Sequence, residues 1–407
     1  MRKITASLLA LMMVLGMCSC SVPGVPEEST TAATTSETTV ATTESSASEE
    51  TSASTSEEVS YVESGYLKGL KIIARENCFV SENEKFQDLI NWTMKKAIET
   101  YFKGSLIIAT DDEVLLFAGP NKSIDVDGNP VDPYTTYEIG SVTKMFTATI
   151  IMKMVEDGKI KLDDKLIKYF PEYKNGKDIT IANLLSMSSG IPDMANEPDV
   201  FWGGKVTDNL NDTLLSDEDF LECLYALNPT FEPGTKCEYS NSNYHILGMI
   251  IEQIEGMSYG EVVKRDIFDP CGMEHSSAQT NGDVTSVPDP ERGYHDFQNG
   301  ARGAGDIHSC MADMVAFDRA LFSGKIISME SLEAMKKDLT PTQYGYGLML
   351  YDDFAYGHSG ATVSYVSNNV VIDTEEFGKV YFVGSTSTAL GIEGLTRSLE
   401  MAINWAK

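Results

Sequence analysis

The chain has 407 residues, of which 61 are Asp or Glu and 31 are Lys or Arg, for a formal net charge of −30. So acidic a chain argues against nucleic acid as a partner, because binding a phosphate backbone needs a surplus of cations. The length is enough for one large domain or two lobes around a sizeable core.

The chain opens on Met1-Arg2-Lys3, continues in an apolar run from Leu8 to Met17, and reaches Cys18-Ser19-Cys20. A charged head, a short apolar core and small residues at the cut make a secretory signal. The core is too short to cross a bilayer as a helix. Its end resembles the lipobox of bacterial lipoproteins, with Cys20 as the lipidated residue; Cys18 is the alternative, since Leu15 stands three residues before it. Ser21 to Ser60 is almost all Ser, Thr, Ala and Glu, with eight glutamates and no lysine or arginine. It has nothing to bury and is expected to be a disordered linker, with a root-mean-square reach of roughly 35 Å as a random coil. The expected layout is a signal at 1–20, a linker at 21–60 and a folded domain at 61–407. That domain would sit outside the cytoplasm, held to the membrane by a lipid anchor, or secreted if no lipid is attached.

Within the domain, Phe86 to Phe102 has helical spacing and stops before Gly104. Leu106-Ile107-Ile108-Ala109 and Val114-Leu115-Leu116-Phe117, joined by Thr110-Asp111-Asp112-Glu113, read as a β-hairpin. Ile179 to Ser186 starts a helix that stops at Gly190, and Tyr244 to Ile254 is another, ending at Gly256. Tyr344 to Leu350, Thr362 to Ile372 and Val380 to Ser385 read as strands, and Ile392 to Ala406 as a closing helix. Strands at both ends with helices between predict an α/β (α+β) fold: one antiparallel sheet built from both termini, with a mostly helical insertion. The long loops from Asp193 to Ser216 and from Gly282 to Gly305 are candidate lids or binding edges.

The chemistry concentrates in three places. In Tyr137-Glu138-Ile139-Gly140-Ser141-Val142-Thr143-Lys144-Met145-Phe146, a loop delivers Ser141 to the start of a helix, with Lys144 three residues on and so on the same face. An amine beside a hydroxyl is a candidate activated nucleophile. Met145, Phe146, Ile150, Ile151 and Met154 cover too wide an arc for a surface helix, so this one should be buried, which pushes the pKa of Lys144 down toward that of a base. Ser-x-x-Lys alone is weak, since it arises by chance roughly once or twice in a chain this long.

The second place is Pro233 to Tyr244, where a Pro-Gly turn leads to Tyr239 and Asn241 just before a helix. The tyrosine can shuttle a proton and the asparagine can orient a substrate carbonyl. Tyr173-Lys174-Asn175 repeats the pattern in a polar loop, so the tripeptide by itself proves little. The third is Tyr356-Gly357-His358-Ser359-Gly360-Ala361-Thr362-Val363, at the start of a strand. Its glycines would let a substrate approach, and the Ala361 amide could pair with that of Ser141 as an oxyanion site. Of seven cysteines, two lie in the signal, leaving Cys78, Cys223, Cys237, Cys271 and Cys310. The odd count and wide spacing give no disulfide framework; one bridge can form, but free thiols are expected. No Cys-x-x-Cys or His-x-x-x-His spacing points to a metal, and no cofactor is called for.

Together these residues resemble the serine β-lactamase and penicillin-binding-protein superfamily, in the class C β-lactamase-related branch. Ser141 and Lys144 look like its first motif, Tyr239 and Asn241 like its Tyr-x-Asn motif, and His358-Ser359-Gly360 like its third motif with histidine in place of lysine. Leu184-Leu185-Ser186-Met187-Ser188-Ser189-Gly190 is similar to the family's "LLSHTSG" turn, with Met187 where histidine is usual, and Phe268 to Met273 is similar to its "PLGM" segment. The resemblance implies a surface-tethered serine hydrolase that acts through an acyl-enzyme on a cell-envelope peptide or ester, as a D-Ala-D-Ala carboxypeptidase, esterase or β-lactamase does. Ser141, Lys144 and Tyr239 would be catalytic, with either of the last two as base. Asn241, His358, Ser359 and Gly360 would bind substrate, and the amides of Ser141 and Ala361 would hold the oxyanion. The missing third-motif lysine weakens the case for a β-lactamase. The alternative is a non-catalytic receptor for penicillin or cell-wall fragments.

Overall fold

The computed structural model describes residues 59–61, 71–73, 78–120, 122–194, 216–278, 284–287, 302–338, 343–362, 364–387 and 389–407. The expected signal, Cys18, Cys20 and all but the end of the expected linker lie outside the described residues, as do most of the two long loops. The first strands are β1 (Val59–Tyr61), β2 (Lys71–Ile73), β3 (Cys78–Val80), β4 (Gly104–Thr110) and β5 (Val114–Ala118). Then come β6 (Thr136–Glu138), β7 (Ser277–Ala278) and β8 (Ile307–Cys310). Last are β9 (Met349–Asp352), β10 (Ala355–Ala361), β11 (Val366–Thr374) and β12 (Gly378–Thr386).

Nine of these form one antiparallel sheet in the order β1-β2-β3-β5-β4-β12-β11-β10-β9, and a small sheet has the order β6-β8-β7. The two ends of the chain meet where β4 pairs with β12, from Gly104 opposite Thr386 to Thr110 opposite Val380. Val59 and Ser60 pair with Ile73 and Ile72 in β1 and β2.

Side chains of a strand alternate between its faces. Ile107, Ala109, Phe117, Val371, Tyr381 and Val383 enter the larger core with the helical insertion. Leu106, Ile108, Leu116, Val370, Val380 and Phe382 point the other way, into a second core with helices from both ends of the chain. Both faces are thus covered, which is why these strands read as continuous apolar runs rather than as alternation.

The helices are α1 (Gln87–Glu99), α2 (Thr143–Glu156), α3 (Ile181–Leu185), α4 (Asp217–Ala226), α5 (Asn241–Glu255), α6 (Tyr259–Val263), α7 (Met311–Phe322), α8 (Met329–Met335) and α9 (Ala389–Trp405). α1 and α9 pack together over the second core. α2 runs through the middle of the insertion: every residue from Thr143 to Met152 is buried. Its Phe146 ring stacks on Phe317 of α7 with centroids 3.9 Å apart.

Three expectations change. The strand expected over Tyr344 to Leu350 is a turn up to Leu348, followed by β9. A Cβ on Gly345 would lie 2.0 Å from the Met335 carbonyl oxygen, and Gly347 has φ +70° against the Lys144 carbonyl of α2. These glycines are packing points rather than strand residues. The third motif lies in the strand β10 itself and does not begin the next one: β10 ends at Ala361, β11 begins at Val366, and between them the Thr362 amide donates to the Tyr365 carbonyl. The helix expected from Tyr244 begins three residues earlier, so Asn241 is its first residue.

Candidate active site

The site is built where two backbone segments touch. Gly140 has φ +52°, and a Cβ there would lie 2.8 Å from the Ala361 amide nitrogen. A Cβ on Gly360 would lie 1.9 Å from the Ile139 carbonyl oxygen and 3.0 Å from the Ser141 amide nitrogen. With glycine at both positions, the start of the central helix lies directly against the end of β10, and the amides of Ser141 and Ala361 become neighbours. Gly140 to Val142 is a single 3₁₀ turn that runs into α2, so Ser141 stands at the head of a buried helix and stays half-exposed.

Lys144, one turn on, is fully buried. Its Nζ lies 2.9 Å from Ser141 Oγ, 2.7 Å from Asn241 Oδ1 and 2.7 Å from the Ala304 carbonyl oxygen. The Tyr239 hydroxyl donates to Ser141 Oγ at 2.7 Å. Asn241 Nδ2 donates to Asp193 at 3.0 Å. A carboxylate only accepts, so Asp193 orients the amide with its oxygen toward the lysine.

Burial lowers the Lys144 pKa to about 7, against the opposing charges of Asp193 and Asp306, which favour the ammonium. Burial pushes the Tyr239 phenol the other way, well above its usual range. The lysine is therefore the group able to lose its proton near neutrality, and the tyrosine holds its own.

The turn similar to "LLSHTSG" supports the second motif from below. The Glu238 amide donates to the Met187 carbonyl at 2.9 Å, the Gly234 amide to Ser188 at 2.8 Å, and the Tyr244 hydroxyl to Leu185 at 2.8 Å. Met187 takes a left-handed φ of +56°, and its sulfur accepts from Asn243 Nδ2 at 3.4 Å. The turn thus sets the height of Tyr239 above Ser141.

The third motif departs from expectation. His358 is fully buried, with Nε2 3.1 Å from the Tyr344 hydroxyl and Nδ1 against the Ser359 carbonyl. Its ring lies 6.2 Å from that of Tyr239 and 5.7 Å from that of Tyr344. Burial, with the nearby Lys144 charge, lowers its pKa to about 3, so it is neutral and offers no cation. Ser359 turns its hydroxyl to the Met349 sulfur at 3.6 Å. Gly360 is required by the Ile139 loop. None of the three presents a side chain to the cleft; they brace Tyr239 and the serine loop. Asn241 turns its amide oxygen to Lys144 and its amide nitrogen to Asp193.

The structure therefore brings together Ser141, Lys144, Tyr239, Asn241 and the Ala361 amide. It adds three groups that sequence reasoning missed: Asp193, the Ala304 carbonyl and Asp306. Asp306 is buried, accepts from the Gly303 amide at 2.9 Å through Oδ1, and has its pKa raised to about 7 by burial. Asp193 carried a signal only as the first residue of a long loop; a backbone carbonyl carries none.

No disulfide joins Cys78, Cys223, Cys237, Cys271 or Cys310. Potential ligand atoms of His275, Cys310 and Asp313 come within 4.8 Å of one another, which the spacing did not suggest. Those atoms have structural work, however. Cys310 Sγ accepts from the Asp313 amide at the head of α7, and Asp313 Oδ2 accepts from the His275 amide and the Ser276 hydroxyl.

The family model named Beta-lactamase matches residues 95–393. The putative penicillin-binding protein PbpX of Bacillus subtilis is 28% identical over 284 residues, 66% of this chain and 65% of the relative. Penicillin-binding protein 4* of the same organism is 26% identical over 65% of this chain and 64% of the relative. The match thus spans somewhat less than two thirds of either relative. Among solved structures, the octameric penicillin-binding protein homologue from Pyrococcus abyssi superposes with a TM-score of 0.63 at 27% identity, over 78% of this chain and 77% of that one. A family model that matches most of the chain shows that the chain belongs to the Beta-lactamase family.

Proposed function

We propose that this protein is a serine hydrolase that forms an acyl-enzyme on Ser141 and cleaves an amide or ester of the cell envelope. One observation carries the reading: Ser141 Oγ lies within hydrogen-bond distance of both Lys144 Nζ and the Tyr239 hydroxyl. Two of the three lysine partners, Asn241 Oδ1 and the Ala304 carbonyl, can only accept. A neutral amine has two hydrogens for those two acceptors, which leaves its lone pair for the Ser141 hydroxyl. With a pKa near 7, about half of the lysines are in that form at neutral pH.

In acylation, the Ser141 proton passes to Lys144 as Oγ bonds the carbonyl carbon. The carbonyl electron pair moves to oxygen, held by the Ser141 and Ala361 amides. Removing one donor from such a pair costs on the order of 3 kcal/mol of barrier. As the tetrahedral intermediate collapses, the bond to the leaving group breaks, and that group takes the proton from Lys144 through the Tyr239 hydroxyl. Water then repeats the sequence on the ester, with the proton returning to Ser141.

The test is intact-mass spectrometry of the full chain after exposure to penicillin, a fluorophosphonate and an acyl D-Ala-D-Ala peptide. The expected result is an adduct on Ser141 that is lost in Ser141→Ala. Non-covalent binding with no adduct and no product would instead mean a receptor. The extracytoplasmic, lipid-anchored location rests on the sequence of the first sixty residues. It predicts that Cys20→Ala releases the protein from the membrane fraction into the medium; release by Cys18→Ala alone would move the anchor to that residue.

A further inference from the structure

At the head of α7, three side chains of different chemistry converge. Cys310 ends β8 and caps α7, Asp313 lies in the first turn of α7, and His275 comes from the segment before β7. Among the described residues, they form the one group of three whose potential ligand atoms all lie within 4.8 Å of one another. The Asp313 carboxylate is set in place through one oxygen: Oδ2 accepts from the His275 amide and from the Ser276 hydroxyl, both at 2.8 Å. That leaves Oδ1 facing His275 Nδ1, 3.9 Å away. The Cys310 thiol hydrogen-bonds to the same carboxylate, and its sulfur accepts from the Asp313 amide at 3.5 Å. Cys310 and Asp313 are buried, whereas the His275 side chain is 43% exposed, with the Tyr134 ring 4.7 Å from its own. Two of the three groups are thus fixed, and the third is free to turn.

We propose that His275, Cys310 and Asp313 bind one Zn²⁺, with water as the fourth ligand on the exposed side of the histidine. One sulfur, one nitrogen and one oxygen suit zinc rather than Mg²⁺ or Ca²⁺, which take oxygen alone. Bonds of about 2.0–2.3 Å to a tetrahedral ion put its ligand atoms about 3.3–3.6 Å apart, so the cluster has to close by about 1 Å. Turning the His275 ring supplies that movement. On binding, the Cys310 thiol gives its proton to solvent and a sulfur–zinc bond replaces the S–H bond. The hydrogen bonds on Asp313 Oδ2 then orient the carboxylate that ligates through Oδ1, as outer partners do at metal sites. The ion ties the segment before β7 to the joint between β8 and α7.

The test is a titration of the full chain, stripped of metal with a chelator, first with Co²⁺ and then with Zn²⁺. A chain with a net charge of −30 also holds cations loosely at its surface. Working in 1 M NaCl, where the Debye length is about 3 Å, screens that part. Cobalt reports its ligands: a near-ultraviolet sulfur-to-cobalt band marks a bound thiolate, and strong visible bands mark a four-coordinate ion. One equivalent of Co²⁺ should raise both, and one equivalent of Zn²⁺, which binds such a site more tightly, should remove them. Cys310→Ser, which keeps an acceptor to cap α7, should abolish the sulfur-to-cobalt band. Loss of an outer-shell partner already costs a metal site about 10–100-fold, so His275→Ala should weaken Zn²⁺ binding by about 100-fold or more. Zn²⁺ should raise the melting temperature of the wild type and of neither variant. Absence of the sulfur-to-cobalt band, its survival in Cys310→Ser, or wild-type Zn²⁺ affinity in His275→Ala overturns the proposal. If Cys310→Ser fails to fold, the half-exposed His275→Ala still decides.

Discussion

Ile139 and Gly360 meet backbone to backbone, so closely that a Cβ on Gly360 would lie 1.9 Å from the Ile139 carbonyl oxygen. The contact holds the Ser141 and Ala361 amides side by side. Gly360→Ala must part the two segments and spoil the oxyanion site. Fluorophosphonate labelling of Ser141 is expected to slow by about 100-fold or more, with a lower melting temperature. Labelling at the wild-type rate would show that the amides do not act as a pair.

The low pKa of Lys144 sets a pH dependence. In the proposed mechanism its neutral form is the base, so the acylation rate should rise with pH through about 7 and fall about tenfold per unit below that. Lys144→Arg, which stays protonated, should lose about 100-fold or more at every pH. Labelling rates between pH 5 and 9 check both; a flat wild-type profile would assign the base elsewhere.

His358 invites the reverse substitution, to the family's lysine. Because its site is fully buried, His358→Lys should destabilise the fold by several kcal/mol and give no better use of carboxylate substrates. His358→Phe keeps the ring contacts with Tyr239 and Tyr344 and loses the hydrogen bonds to the Tyr344 hydroxyl and the Ser359 carbonyl, for a cost of about 1 kcal/mol each. Urea unfolding of the two variants would separate charge from packing.

Phe146 ties α2 to α7 through the stack on Phe317 and an edge contact with Phe268, at 3.9 and 6.0 Å. Phe146→Ala should cost about 3–5 kcal/mol. The Ser141 loop sits at the head of the same helix, so labelling should weaken along with stability. A loss of stability with labelling unchanged below the melting point would mean that the loop is held from β10 alone.

Much of this arrangement is visible in one dimension. Leu106 to Phe117 and Val380 to Ser385 are apolar runs of strand length bounded by polar turns, and their place at the two ends of the chain implies a shared sheet. Met145 to Met154 is too apolar to face water, so α2 had to be central, with Lys144 buried beside Ser141. Residues three apart on a helix are neighbours wherever that helix lies, so the pairing of hydroxyl and amine is local.

The remainder is not local. The Ala304 carbonyl, the Asp193 carboxylate and the Tyr239 phenol reach Lys144 and Ser141 across 160, 49 and 98 positions of sequence. A backbone oxygen has no letter of its own. Gly345, Gly347 and Gly360 could equally have served a turn, a strand or a substrate; only packing against Met335, Lys144 and Ile139 gave each its purpose. His358 read from its motif as a substrate ligand, and its full burial makes it a brace instead. Short-range periodicity determined the elements and the helix that Ser141 heads, because those depend on neighbours in the chain. Charge, orientation and access at the site depend on what lies within a few ångströms in space, and only the tertiary structure decided them.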